Sequence, residues 1–382
     1  MTPPQQQKYD RFLKDFEQII NMDSSGENLD GVARVAQFLK EKLVRLGLDV
    51  EITYQGENSV PCLKACTPTH NGRFDFMFLG HMDTVFPTGE ALRRPFSMDG
   101  NIAHGPGVND MQGGLLLAVY VVESLKEEGA LEDMAICLAF NGDEETGSRN
   151  SRAWIEETAA KCDRVLVFEP CRPGYRYVVN RKGGCRITVT TRGISSHAGA
   201  DPEKGVNAVV ELAHQIQRIN QLNRPDSGIT AQCTVISGGH KTNIIPDTAT
   251  VKVDLRYATM QEAEEALTFF KSLSQRPVLP GASVEVAIEG QRPPLESTPE
   301  SEELLRMLVE EGRQLGLEPA GISTGGCSDG NWTASMGIPT LDGMGPVGEN
   351  SHRLDEYMLL DSFIPALTMI TALCKRVVSQ AR

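Results

Sequence analysis

Short apolar runs that stop on a histidine or a carboxylate recur along this chain, at His81, Asp110, Glu144–Glu145, Glu169 and His352. Chemistry-bearing residues that are scattered in sequence, each placed at a strand end, converge at the carboxyl edge of an open α/β sheet, where such folds bind ligands. The run Phe74-Asp75-Phe76-Met77-Phe78-Leu79, bounded by Asn71-Gly72 and Gly80, predicts a strand that leads into His81-Met82-Asp83. His81 and Asp83 are two apart and share a face in extended geometry. A carboxylate close to a ligating imidazole is the usual partner that fixes its tautomer. A second run, 133–140, ends in Asn141-Gly142-Asp143-Glu144-Glu145, and a third, 164–168, ends in Glu169-Pro170. Adjacent side chains diverge in a turn, so one of the paired glutamates can bind metal while its neighbour faces a substrate water.

Asp110 sits in the glycine-rich turn Gly105-Pro106-Gly107-Val108-Asn109-Asp110-Met111-Gln112-Gly113-Gly114, which opens into the apolar run 115–122. That run predicts a buried helix, whose dipole favours a carboxylate near its start. His352 follows the loop 343–351, which comes after a strand-like segment at 338–341. Singly, none of these sites is specific. A lone histidine such as His104, His214 or His240 reads as a surface or hydrogen-bonded residue, and an Asp-Glu-Glu run as a solvated turn. Together, two histidines and several carboxylates make a hard-to-borderline ligand set suited to a pair of zinc ions. A metallohydrolase is the expectation.

At 382 residues the chain exceeds one ordinary core. Between 182 and 292 the pattern becomes strand (186–191), helix (202–219), strand (233–237), strand (250–255), helix (260–273), strand (283–289). This βαββαβ order is ferredoxin-like. The flanks, 1–181 and 293–382, alternate strands and helices as one doubly wound, mixed-sheet α/β domain, so 182–292 is expected to be an insert. The formal charge of −14 argues against nucleic acid or an anionic membrane as partner. No run reads as membrane-spanning and the first residues lack an apolar signal core. The nine cysteines form no paired framework, and no histidine is placed to activate Cys327. Their odd number fits a reducing compartment; cytoplasm is the expectation.

Gly80-His81-Met82-Asp83-Thr84-Val85, the Asp110 turn, Asp143-Glu144-Glu145-Thr146-Gly147-Ser148, Phe168-Glu169-Pro170 and Ser351-His352 occur in one order that resembles the co-catalytic zinc aminoacylase/carboxypeptidase family. The resemblance spans the chain from about Ser24 onward. Its wording is closest to the glutamate carboxypeptidases, through Asn243-Ile244-Ile245-Pro246, Asp254-Leu255-Arg256-Tyr257, Gln291-Arg292-Pro293 and Gly325-Gly326-Cys327-Ser328-Asp329-Gly330. It implies two zinc ions per subunit, with cobalt or manganese as substitutes. His81 and Glu169 would complete one metal, Glu145 and His352 the other, and Asp110 would bridge them. It further implies Asp83 as the partner of His81, Glu144 as general base, and His197 in the insert as an oxyanion donor to the neighbouring subunit of a homodimer. The insert would be a dimerisation or lid domain. Asn243, Arg256, Arg292 and Gly326 would bind substrate, the arginines because a planar fork holds a carboxylate; for Arg256 a structural ion pair is the alternative. Gln112 stands where a lysine is common, and a cis Asp110–Met111 peptide is a further implication. The implied reaction is amide hydrolysis that releases a C-terminal amino acid, glutamate among them, from a small peptide or N-acyl amino acid. An aminoacylase or deacylase of N-acyl amino acids or diamino acids is the alternative. A non-catalytic metal-binding protein is the third, and Glu144 with Asp83 speaks against it, because a binder needs no general base.

Overall fold

Six strands form one sheet in the order Asp49–Gln55, Val60–Cys66, Ile136–Asn141, Phe76–His81, Val165–Val167, Thr340–Leu341. The last four are mutually parallel and the first two add an antiparallel edge, so the sheet is mixed. The computed structural model that shows this describes residues 1–69, 71–224 and 226–381. Arg382, the end of the expected segment 293–382, lies outside the described residues. The sheet belongs to a first unit made of Met1–Val179, Ser297–Ser323 and Ser328–Arg382; a second comprises Asn180–Glu296 and Thr324–Cys327.

The central strands are buried on both faces, as parallel strands under helices must be. Phe76 and Phe78 point into a large core shared with the helices Pro3–Ile20, Leu29–Arg45, Gly113–Glu127 and Phe363–Ala381. Met77 and Leu79 point the other way, into a smaller core with Trp154 and Ile155 of the helix Arg152–Ala159. This alternation is the period-two geometry of a strand. The register sets His81 level with Asn141 and Leu79 level with Val167. The residues that follow, Glu144–Glu145 and Glu169, therefore leave the sheet at the edge where His81 stands. Gly113–Glu127 is apolar on nearly every side because it is enclosed on nearly every side. At Gly114 a Cβ would sit 1.9 Å from the Phe168 carbonyl oxygen, so only glycine lets helix and strand approach this closely.

In the second unit, four antiparallel strands run in the order Thr230–Gly238, Thr248–Tyr257, Gly183–Arg192, Ser283–Arg292. Helices Ala208–Asn220 and Met260–Leu273 supply Leu212, Ile219, Ala266 and Phe270 to a core with Ile187, Val189, Val251, Val253 and Leu255. This is the expected βαββαβ arrangement with its open face polar.

Two expectations need correction. The stretch 202–219 is not one helix: Pro202–Lys204 makes a single turn, then Val206 pairs with Ile194 through two backbone bonds of 2.9 Å. That pairing holds the chain extended until Asn207 restarts the helix by accepting from the Val209 and Val210 N–H groups at 3.0 and 3.2 Å. Nor is a run of membrane-spanning length lacking: Leu360–Gln380 is long and apolar enough, with 67% of that window buried inside the protein. Phe363, Met369, Ile370, Leu373 and Cys374 of this helix are core residues, which accounts for its apolarity.

Candidate metal centre

Three turns and one loop of the first unit bring the chemistry together. His81, the last residue of its strand, is buried, and its Nε2 lies 3.1 Å from Asp110 Oδ1 and 3.5 Å from Glu169 Oε1. On the other side of the ring, Nδ1 is 3.0 Å from the Asp83 carbonyl oxygen and 3.5 Å from Asp83 Oδ1. Both neighbours of Nδ1 are acceptors, so Nδ1 would keep its proton when an ion takes the place of the proton on Nε2. His352 Nε2 lies 3.4 Å from the other oxygen of Asp110, Oδ2, and 3.2 Å from Glu145 Oε2. Two candidate ligand sets result, His81–Asp110–Glu169 and Asp110–Glu145–His352, with the atoms of each within 4.8 Å of one another.

Asp83 is fully buried, and it also accepts from the backbone N–H groups of Glu144 and Glu145 at 3.1 and 3.0 Å. One carboxylate thus holds the imidazole of His81 and the turn that carries both glutamates. Asp143 fixes that turn from behind by accepting from the Asn150 N–H at 2.8 Å and from the Ser151 hydroxyl. Asp110 does not follow a strand directly. It lies in a distorted turn, Val108–Gln112, with a cis bond to Met111, before the helix Gly113–Glu127. His352 stands beyond the two-residue strand Gly348–Glu349 with φ of +68°, a left-handed conformation that a histidine adopts more readily than most side chains. Gln112 is turned away from the ligands, donating to the Met82 carbonyl at 2.9 Å and the Ser24 hydroxyl at 3.2 Å.

Sequence reasoning missed Glu356. It is fully buried and accepts from the backbone N–H groups of Gly107, Asn109 and Asp110 at 3.1, 2.8 and 2.9 Å. Asn109 adds a second tie, donating to the Ser351 hydroxyl at 2.9 Å. The Asp110 turn and the His352 loop are therefore joined side by side. The signal available was faint: a glutamate four residues after a histidine, with nothing to say that it faces a glycine-rich turn 246 residues away.

The electrostatics fit a cation. Burial pushes the Glu145 carboxyl up to about 8, and the nearby Asp110 charge adds to this. Asp110 and Glu145 push His352 up to about 11. Burial alone would lower the His81 pKa, yet Asp110, Asp83 and Glu169 together hold it well above the usual value. Glu145 Oε1 is buried with no hydrogen-bond partner among the described residues. An orphaned carboxylate oxygen, crowded acids and two imidazoles form a donor set that suits zinc or a similar divalent ion.

The other expected site residues lie in the second unit. His197 is exposed, and its Nδ1 accepts from the backbone N–H groups of Gly199 and Ala200 at 3.2 and 2.9 Å, which assigns the ring proton to an open Nε2. His197 pairs with Ile244, and the Ala198 N–H donates to the Asn243 carbonyl at 2.9 Å, so His197 and Asn243 are neighbours. The Arg256 fork engages Asp254 at 2.9 and 3.1 Å and Cys327 Sγ at 3.3 Å. Arg292 is buried, and its carbonyl accepts from the Tyr257 hydroxyl at 2.8 Å. The Gly326 carbonyl accepts from Arg181 at 3.3 Å.

Comparison with known proteins agrees with this geometry. Residues 77–376 match the description of peptidase family M20/M25/M40. Over 350 residues the chain is 32% identical to carboxypeptidase G2 of a Pseudomonas species, covering 89% of this chain and 82% of that protein. It is 28% identical to a succinyl-diaminopimelate desuccinylase of Cereibacter sphaeroides, over 81% of this chain and 85% of the relative. Its fold matches that of aminopeptidase PepT from Bacillus cereus with a TM-score of 0.81, at 22% identity over 97% of this chain and 98% of the other. With the two candidate ligand sets and these likenesses together, the chain is a hydrolase and belongs to peptidase family M20/M25/M40.

Proposed function

We propose that this chain is a dinuclear zinc hydrolase that cleaves an amide bond and releases a C-terminal amino acid, glutamate among them, from a small peptide or N-acyl amino acid. One observation carries the metal pair: the two oxygens of Asp110 face two different imidazoles, each backed by its own glutamate. His81, Asp110 and Glu169 would hold one ion, and Asp110, Glu145 and His352 the other. The ions, when bound, supply Lewis acidity and bring the pKa of water to about 7.

The protein groups do the rest. Asp83 keeps the His81 proton on Nδ1 and sets the height of the Glu144–Glu145 turn. Glu144, beside the ligand Glu145, takes a proton from the attacking water and returns it to the leaving amine. His197 donates its Nε2–H to the developing oxyanion, and no covalent intermediate forms. We assign His197 to the active site of a second copy of the chain, joined through the inserted unit. Support for that dimer comes from the edge strand Thr230–Gly238, where Val235 is 56% and Ile236 64% exposed. An exposed apolar edge strand is a template for pairing with another chain.

A deacylase reading is supported by the likeness to the desuccinylase. The test is a panel of N-acyl-glutamates, dipeptides and N-succinyl diamino acids given to the zinc-loaded protein. Faster release of glutamate from peptide and acyl conjugates supports the carboxypeptidase reading; exclusive turnover of succinylated diamino acids would replace it.

A further inference from the structure

Four thiols lie in the smaller core of the first unit, Cys62, Cys66, Cys137 and Cys162, none of them a candidate ligand or substrate binder, and the last three gather together. Cys66 ends the strand Val60–Cys66, Cys137 lies near the start of Ile136–Asn141, and Cys162 follows the helix Arg152–Ala159. Cys66 is directly opposite Cys137 across an antiparallel pair. On the next rung, the Thr67 N–H donates to the Ile136 carbonyl at 3.0 Å and the Ile136 N–H to the Thr67 hydroxyl at 2.8 Å. Hydrogen-bonded and non-hydrogen-bonded rungs alternate, so the Cys66–Cys137 rung is of the second kind, with Cα atoms about 4.5 Å apart and side chains at their closest. A disulfide accepts Cα separations of about 4.4–6.8 Å. The two sulfurs share a hydrogen bond at 3.2 Å. Closing to a bond of about 2.0 Å is a side-chain movement that leaves the strands in register.

The two thiols differ in a useful way. Cys66 is partly exposed, whereas Cys137 is buried. The hydrogen bond with Cys137 lowers the Cys66 pKa against the effect of burial, and Lys64 assists. Contacts with Cys162 and Cys66, together with burial, hold Cys137 well above the usual thiol range. Of the two, the accessible Cys66 is thus the thiol that ionises more readily, and the thiolate is the form that reacts.

We propose that Cys66 and Cys137 are a redox-modification site that closes to a reversible disulfide when the protein meets hydrogen peroxide. The Cys66 thiolate attacks one peroxide oxygen, breaks the O–O bond and becomes a sulfenic acid, releasing hydroxide. Cys137 sulfur then attacks Cys66 sulfur and displaces the hydroxyl group, and its proton leaves with that group as water. Two thiols are oxidised by two electrons, and one peroxide is reduced to two waters. Cys137 lies at the opposite end of its strand from Asn141, which precedes the Glu144–Glu145 turn. Turnover should therefore change little, while the staple between the strands should raise the melting temperature.

The test uses the full chain with its exposed thiol removed as Cys233→Ser. It is treated with one equivalent of peroxide, alkylated and mapped by mass spectrometry without reduction. The expected product is a cross-linked pair of peptides containing Cys66 and Cys137, restored to free thiols by dithiothreitol. The cross-link should be absent in Cys66→Ser and persist in Cys162→Ser. Cys66 recovered as sulfinic acid beside a free Cys137 thiol would overturn the proposal, as would a Cys137–Cys162 cross-link or unreacted Cys66. The same map made on the wild-type chain decides the matter if a serine variant folds poorly.

Discussion

Asp83 and Glu356 show how a single buried carboxylate sets the position of other groups. Each is fully buried and each collects backbone N–H groups, Asp83 from Glu144 and Glu145, Glu356 from Gly107, Asn109 and Asp110. If Glu144 is the base, Glu144→Gln should keep its metal, since the side chain is not in either ligand set. It should lose about 10²–10⁴-fold in turnover. Elemental analysis with a turnover assay checks this, and near-normal activity would remove Glu144 from the mechanism. For Glu356→Ala we expect metal affinity to fall about 10–100-fold, the scale on which groups that orient ligands act. Chelator competition measures it. The circular dichroism spectrum should stay that of the folded chain, and unchanged affinity would reduce Glu356 to loop packing.

At the scale of elements, Glu211 on the helix Ala208–Asn220 ties down a loop of the second unit. It is fully buried and accepts from the Leu279 N–H at 2.7 Å, the Val278 N–H at 2.9 Å and the Gln215 amide at 2.6 Å. Burial raises its pKa, but these hydrogen bonds outweigh burial and leave it below the usual carboxylate value of 4.5. A carboxyl depressed in the folded state adds stability above its unfolded pKa, and that stability is lost as pH falls through the folded value. Glu211→Gln should therefore destabilise the second unit by about 1–3 kcal/mol at pH 7. The gap should close below about pH 4. Denaturant melts at both pH values check this, and an equal gap at both would rule out the charge as the source. The elements were legible where pattern and packing agree. The run around Phe76 and Phe78 is a strand buried on both faces, and 260–273 is a helix at those same residues, started by Thr259 and Glu262 as a capping box. Legibility failed at 202–219, where a long-range pairing of Val206 with Ile194 overrides helical periodicity. It failed again at Leu360–Gln380, which is long and apolar enough to cross a membrane although Lys375 and Arg376 interrupt its apolar run.

On the scale of the whole molecule, a chain folded as two units assigns its chemistry unevenly. The five expected ligands lie in the first unit, and His197, Asn243, Arg256, Arg292 and Gly326 in the second. The convergence of His81, Glu145 and Glu169 was legible because strand ends in a parallel sheet share an edge, whereas Asp110 lies in a turn before a helix and His352 follows a strand of another sheet. The Glu356 brace was not, because a hydrogen bond between two loops leaves no periodicity. If His197 serves a second copy, inactive His197→Ala and inactive Glu144→Gln should regain part of the wild-type activity once mixed and allowed to exchange subunits. One intact site then forms per mixed dimer; confirmed exchange without activity would confine His197 to its own chain or to no role. The central claim is that Asp110 joins two ions, and elemental analysis of the zinc-loaded protein tests it most directly. The account predicts two ions per wild-type chain and fewer in Asp110→Ala, with the fold retained. A single ion in the wild type, or two in Asp110→Ala, would contradict it.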